Sequence, residues 1–224
     1  MPLSTLVDAL PQLLDGLGIT LALTALGIVL GTTLGILLAL GRSFSGRVLS
    51  VAILVFEKVF RGIPLLVLFF IIYFGFNQFG LDLDAFTAAI LGLGLRSAAY
   101  QAQIYRGSIN AIPAGQLSAA YSLGMSKVKA IRYVILPQML RLSLPGWSNE
   151  FTILLKDTSL AFGIGVIELM RQGQYIQVRD PELVLPVFLL IAAIYLVLVL
   201  TANKVLKYLD QRYHMVGYRP EAHR

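Results

Sequence analysis

The chain has 224 residues, 57% of them hydrophobic and only 13% charged, and a formal net charge of +6. That balance excludes an ordinary water-soluble domain and points to lipid as the solvent. There is no cysteine, which excludes disulfides and thiolate metal sites.

A hydrocarbon core about 30 Å thick is crossed by about 20 apolar residues in a helix. Backbone groups in lipid must find partners within the segment, so the long apolar runs are expected as helices. They do not alternate in the manner of barrel strands. The expected fold is an all-α integral membrane protein with five transmembrane helices in a single domain over residues 1–224.

The first span covers residues 13–40. It lacks the basic region and cleavage site of a signal peptide and is expected to be retained. Gly27, Gly31 and Gly35 recur every fourth residue along it, a spacing that suits close helix packing. The second span, 48–76, is interrupted by "RGIPLL" at 61–66, where Pro64 removes a backbone donor and kinks the helix or marks its real start. The third, 85–109, carries Arg96 in an apolar setting. The fourth, 140–167, is interrupted by Glu150, Lys156 and Asp157. The fifth, 181–206, is the plainest membrane helix of the set.

Charge sets the orientation. Of the 18 Lys and Arg residues, Arg96 and Lys156 fall inside spans and only Arg171 and Arg179 fall on one side. The others, from Arg42 and Arg47 through Lys127, Lys129 and Arg132 to the C-terminal tail, share the opposite side. The positive-inside rule then places the C-terminus and the 111–137 segment in the cytoplasm and the N-terminus outside. This asymmetry accounts for the positive charge without a nucleic-acid partner. The two histidines, His214 and His223, sit in the tail, where a surface role is expected rather than metal binding; no metal site is expected.

Residues 111–137 break the apolar pattern. Pro113 suits the first position of a helix, and Gly124 suits the left-handed residue that ends one. Ser126 is placed to cap a second helix that stops before Pro137. On that helix Val128, Ile131 and Ile135 share one face, and Ser126, Lys129 and Tyr133 lie opposite. On pattern alone this is a membrane-surface loop with basic residues near anionic lipid.

The spacing adds more. Ala119 and Ala120, Gly124 four residues on, and Leu136-Pro137 resemble the EAA loop of permease subunits of ATP-binding-cassette importers. Ser118 stands where that pattern has glutamate, and Val134 where it has isoleucine. "AAYQAQIYRGSINAIPAGQ" (98–116), "RGIPLL" and "SNEFTILLKDTSLAF" (148–162) resemble segments of the polar amino acid branch, so the likeness covers most of residues 15–210.

The resemblance implies that Ser118, Ala119, Ala120, Gly124, Met125, Leu136 and Pro137 belong to a coupling element that docks on a separate ATPase subunit. It also implies a second permease copy or homologue, an extracytoplasmic amino-acid-binding protein and a prokaryotic cell membrane. Ser118 cannot make a salt bridge that the usual glutamate would make. Gln103 likewise replaces a usual glutamate and removes a charge from the third span. No G-x-x-x-x-G-K-[ST] occurs, so this chain is not expected to be an enzyme, and ATP and Mg are expected on the partner.

Ionisable residues inside a membrane are costly to place and are functional candidates for that reason. Arg96 is the first of them, since a guanidinium holds a carboxylate through two parallel hydrogen bonds. Its structural alternative is a pair with Glu150. Glu150 and Asp157, seven residues apart, share about one helical face and suit an α-ammonium or a cationic side chain. Tyr100, one turn after Arg96, and Asn149 complete the set, with Thr158 and Ser159 nearby. A midplane amino acid site built on Arg96 and Glu150 is the expectation. The alternative is an ion-coupled secondary transporter or channel for a small polar solute.

Overall fold

The computed structural model describes residues 2–213, with side chains from 10 to 212. His214 and His223 lie outside the described residues. All the regular structure among them is helical.

Helix α1 (Pro2–Phe44) runs beside α5 (Ala85–Ala111), and this is the most extensive pairing in the molecule. The glycine spacing is the reason. A Cβ added at Gly31 would lie 2.8 Å from Ser97 Cβ, and one at Gly35 would lie 2.8 Å from Gln101 Cβ. Only glycine permits that approach, and the small face expected on the first span packs as the sequence suggested.

Between them, α2 (Arg47–Gly62) ends at Ile63, and the chain resumes as α3 (Leu65–Phe70), a π turn (Ile71–Gly75) and the short α4 (Phe76–Gln78). The two halves meet at 107°. Pro64 opens α3 with φ −56°, where its missing N–H costs no internal hydrogen bond. The kink expected at Pro64 is therefore a sharp elbow.

Asp84 caps α5, accepting from Thr87 N at 3.0 Å and from the Thr87 hydroxyl at 2.6 Å. Those bonds hold its carboxyl below the usual range. After α5 come α6 (Ala114–Ser122), a turn at Gly124 with φ +76°, and α7 (Lys127–Ala130), capped by Ser126. The helix, glycine turn and capped second helix agree with the expectation.

Two details differ. Val128 is 73% exposed, and Ala130, with Ile135, turns inward instead. The second helix also does not stop before Pro137. It passes through a π turn (Ile131–Ile135) straight into α8 (Leu136–Asp157). Leu136 N bonds to Ile131 O, five residues back, and Gln138 Nε2 donates to Val134 O at 2.8 Å. The wider turn makes room for the proline ring, so the helix axis continues.

Helix α8 packs on α5 and gives way to a 3₁₀ segment (Thr158–Ile164). Then α9 (Leu169–Arg179) rests on α1, and α10 (Val184–Tyr213) lies against α8 and α9. Leu23, Leu68, Phe69, Leu93 and Leu154 form the main core at the α1–α3–α5–α8 junction. A second cluster of Ala39, Tyr105, Ile112, Ile135 and Met139 ties the 111–137 segment to the ends of α1 and α5.

Among the described residues, two helical stretches are long and apolar enough to cross a membrane unaided, Leu10–Phe44 and Pro181–Arg212; the bent α2–α4 pair qualifies if taken as one span. Helix α5 is more polar because it is interior, with nearly half of its residues buried. Thr32 donates to Gln101 Oε1 at 3.0 Å, Tyr105 donates to the same oxygen at 2.8 Å, and Trp147 Nε1 donates to Thr32 Oγ1 at 2.9 Å. This seam satisfies polar groups that lipid could not.

Candidate functional site

Arg96, on the fourth turn of α5, reaches across to α8 and forms an ion pair with Asp157. The side chains are 22% and 23% exposed, so the pair is open on one side. The α5–α8 packing brings these residues together, and Asp157 ends α8 where the chain tightens into the 3₁₀ segment. Arg96 Cζ lies 5.2 Å from the Tyr100 ring centroid, and Arg61 Cζ, in the last turn of α2, lies 4.8 Å from it. Tyr100 thus gathers two guanidinium groups by cation–π attraction.

The sequence set Arg96 and Glu150 together in a substrate site, with a direct pair between them as the structural alternative; the pair observed is a different one. Asp157 takes the guanidinium, while Glu150 is only 5% exposed and makes no ion pair with it. Seven residues are a little under two full helical turns, so the two carboxylates share a face at different depths, and only one meets Arg96.

Asn149 points elsewhere. With Ser148 and Thr152 it lines a cleft of about 370 Å³ against Asn203, Lys207 and Asp210 of α10. A second cavity, about 390 Å³, opens at the start of α5 beside Ile19, Asp84 and Phe86. Arg96 and Asp157 line neither. Thr158 is buried and bonded to Leu155 O at 2.7 Å, and the Ser159 hydroxyl donates to Lys156 O.

A second ion pair was not anticipated from the sequence. Arg42 of α1 pairs with Glu57 of α2, and Gln103 Nε2 donates to the same Glu57 oxygen at 3.2 Å. Glu57 is completely buried. A signal was available: exposed Val48, Val51, Val55 and Val59 make one face of α2 apolar, which leaves Glu57 with Ile53 on the face toward the bundle.

In the 111–137 segment, Ser118 and Ala119 are exposed on α6, Ala120 is buried, and Leu123 at its end is 80% exposed. Gly124 and the half-buried Met125 make the turn; Leu136 and Pro137 sit where the π turn meets α8. The small residues and the exposed apolar tip lie together on one short projection.

Residues 31–215 match the family described as the binding-protein-dependent transport system inner membrane component. The chain belongs to this family. It is 39% identical over 213 residues to the glutamine transport system permease protein GlnP of Escherichia coli, covering 93% of this chain and 96% of that one. It is 38% identical to the L-cystine transport system permease protein TcyB of Bacillus subtilis, covering 90% and 86%. A crystal structure of an amino acid ABC transporter with histidines superposes with a TM-score of 0.83 at 39% identity, over 92% of this chain and 96% of that one. The MetNI methionine ABC transporter in an inward-facing conformation shares the fold, with a TM-score of 0.70 at 20% identity over 92% and 96%. The chain is therefore an inner membrane permease component, as the loop and span motifs implied, and not itself an enzyme.

Proposed function

We propose that this permease carries a polar amino acid across the membrane through five spans and is driven by ATP hydrolysis on a separate subunit. One observation carries the reading: in a fold shared with amino acid transporters, an ion pair between α5 and α8 is left open beside an aromatic ring. A zwitterion brings one cation and one anion, and Arg96, Asp157, Tyr100 and Glu150 supply complementary groups for both. Asn149 faces α10 and is left out of this site.

The projection from α6 to Pro137 is the coupling element for the ATPase subunit, which binds ATP and Mg. Ser118 and the exposed Leu123 make that contact one of packing rather than charge. A second permease copy or homologue and an external amino-acid-binding protein complete the assembly, with the N-terminus outside and the C-terminus in the cytoplasm.

Purification of the chain with its ATPase subunit, followed by ATP-dependent uptake into vesicles across a panel of amino acids, tests this reading. Stimulated ATP hydrolysis and uptake are expected together. Transport by the isolated chain without ATP would defeat it in favour of a secondary transporter or channel.

A further inference from the structure

Two ion pairs occur among the described residues, and both of their arginines are committed: Arg42 to Glu57 and Arg96 to Asp157. Arg61 is in neither, although it stands at the same Tyr100 ring as Arg96. It is exposed, and it occupies the last turn of α2, immediately before the 107° elbow at Ile63–Pro64. The negative end of the α2 dipole and the Tyr100 face hold it in place, yet neither supplies a full counter-charge.

With Asp157 taking Arg96, Arg61 is the guanidinium at the Tyr100 ring that is in no ion pair among the described residues. We propose that Arg61 is the substrate-carboxylate residue of this permease, and that Arg96 is a positioning residue that holds Asp157 toward the substrate's cationic group. This rests on the amino acid reading above and reassigns the carboxylate from Arg96 to Arg61. The chemistry recognised is an α-amino acid with a free α-carboxylate: a planar guanidinium pairs with a carboxylate in two-pronged fashion, and a carboxamide offers no such charge. The elbow adds a geometric reason. It ends α2 at the site rather than carrying it past, so the Arg61 side chain is delivered beside α5 from a separate helix.

The test uses the permease–ATPase complex in lipid nanodiscs without the external binding protein, which would impose its own selectivity. Binding of L-glutamine and L-histidine is titrated against L-glutaminamide and L-histidinamide. The wild-type complex should prefer the acids. Arg61→Gln should weaken the acids about tenfold and leave the amides unchanged, and Arg61→Lys, which keeps the charge but not the two-pronged geometry, should weaken them about threefold. If Arg61→Gln does not assemble, the lysine variant decides alone.

An unchanged acid-over-amide preference, or an equal loss for acid and amide, overturns the assignment of Arg61 while ATP-driven uptake by the wild type leaves the amino acid reading standing. A wild-type complex that binds none of the four probes removes the site, and this inference falls with it.

Discussion

The Arg42–Glu57 and Arg96–Asp157 pairs use the same chemistry to different ends. At Arg42–Glu57 the side chains are 12% and 0% exposed, and Gln103 adds a third contact. At Arg96–Asp157 the exposures are 22% and 23%, and an aromatic ring stands alongside. Burial strengthens a charge pair but removes both ions from water, so a closed pair serves mainly to fix two helices relative to each other. An open pair keeps solvent access and can exchange one partner for a solute. The difference lies in the surroundings, since α1, α2 and α5 close over Glu57 while the α5–α8 seam leaves Asp157 open on one side.

Mutations on each side separate the roles. Arg42→Ala leaves Glu57 buried without its cation and should cost about 3–5 kcal/mol, read as loss of monodisperse protein or a much lower unfolding temperature in detergent. Arg96→Ala should act oppositely, reducing uptake in reconstituted vesicles at least about tenfold, equivalent to about 1.4 kcal/mol or more, with the unfolding temperature nearly unchanged. Wild-type uptake by this variant would remove Arg96 from the site.

Gln103→Glu sets a second carboxylate beside Glu57 and should destabilise by about 1–3 kcal/mol. Combining it with Glu57→Gln exchanges amide and acid around Arg42 and should recover most of the loss, as thermal unfolding would show. Lys156→Ala is the smallest change. Lys156 is exposed and adjacent to Asp157 in sequence, but lies about 100° around the helix, so stability should stay within about 0.5 kcal/mol and uptake near wild type.

Local stereochemistry made parts of the fold legible in advance. Pro64, Gly124, Ser126 and the glycine ladder each act through their own backbone or a single neighbour, and each does in the structure what its type requires. Less legible was anything decided by register between helices. Arg96 had two carboxylates within plausible reach on one face of α8, and the choice of Asp157 over Glu150 depends on the depth at which α5 and α8 meet. Asn149 adjoins Glu150 in sequence yet faces α10, because consecutive helical residues point about 100° apart. Pro137 misled for a different reason: the π turn that accommodates it has no signature as simple as the proline itself.

The α2–α4 elbow carries a further consequence, for how the chain enters the bilayer. At about 1.5 Å per residue, neither arm reaches the roughly 30 Å of the hydrocarbon core, and a 107° bend prevents them from adding end to end. This segment cannot be threaded into lipid as a free-standing rod. Leu65, Leu68, Phe69 and Ile72 on one arm, and Ile53 and Glu57 on the other, turn inward toward neighbouring helices. Both arms therefore depend on neighbouring helices for their burial, α2 on α1 and α5 and α3 on α5.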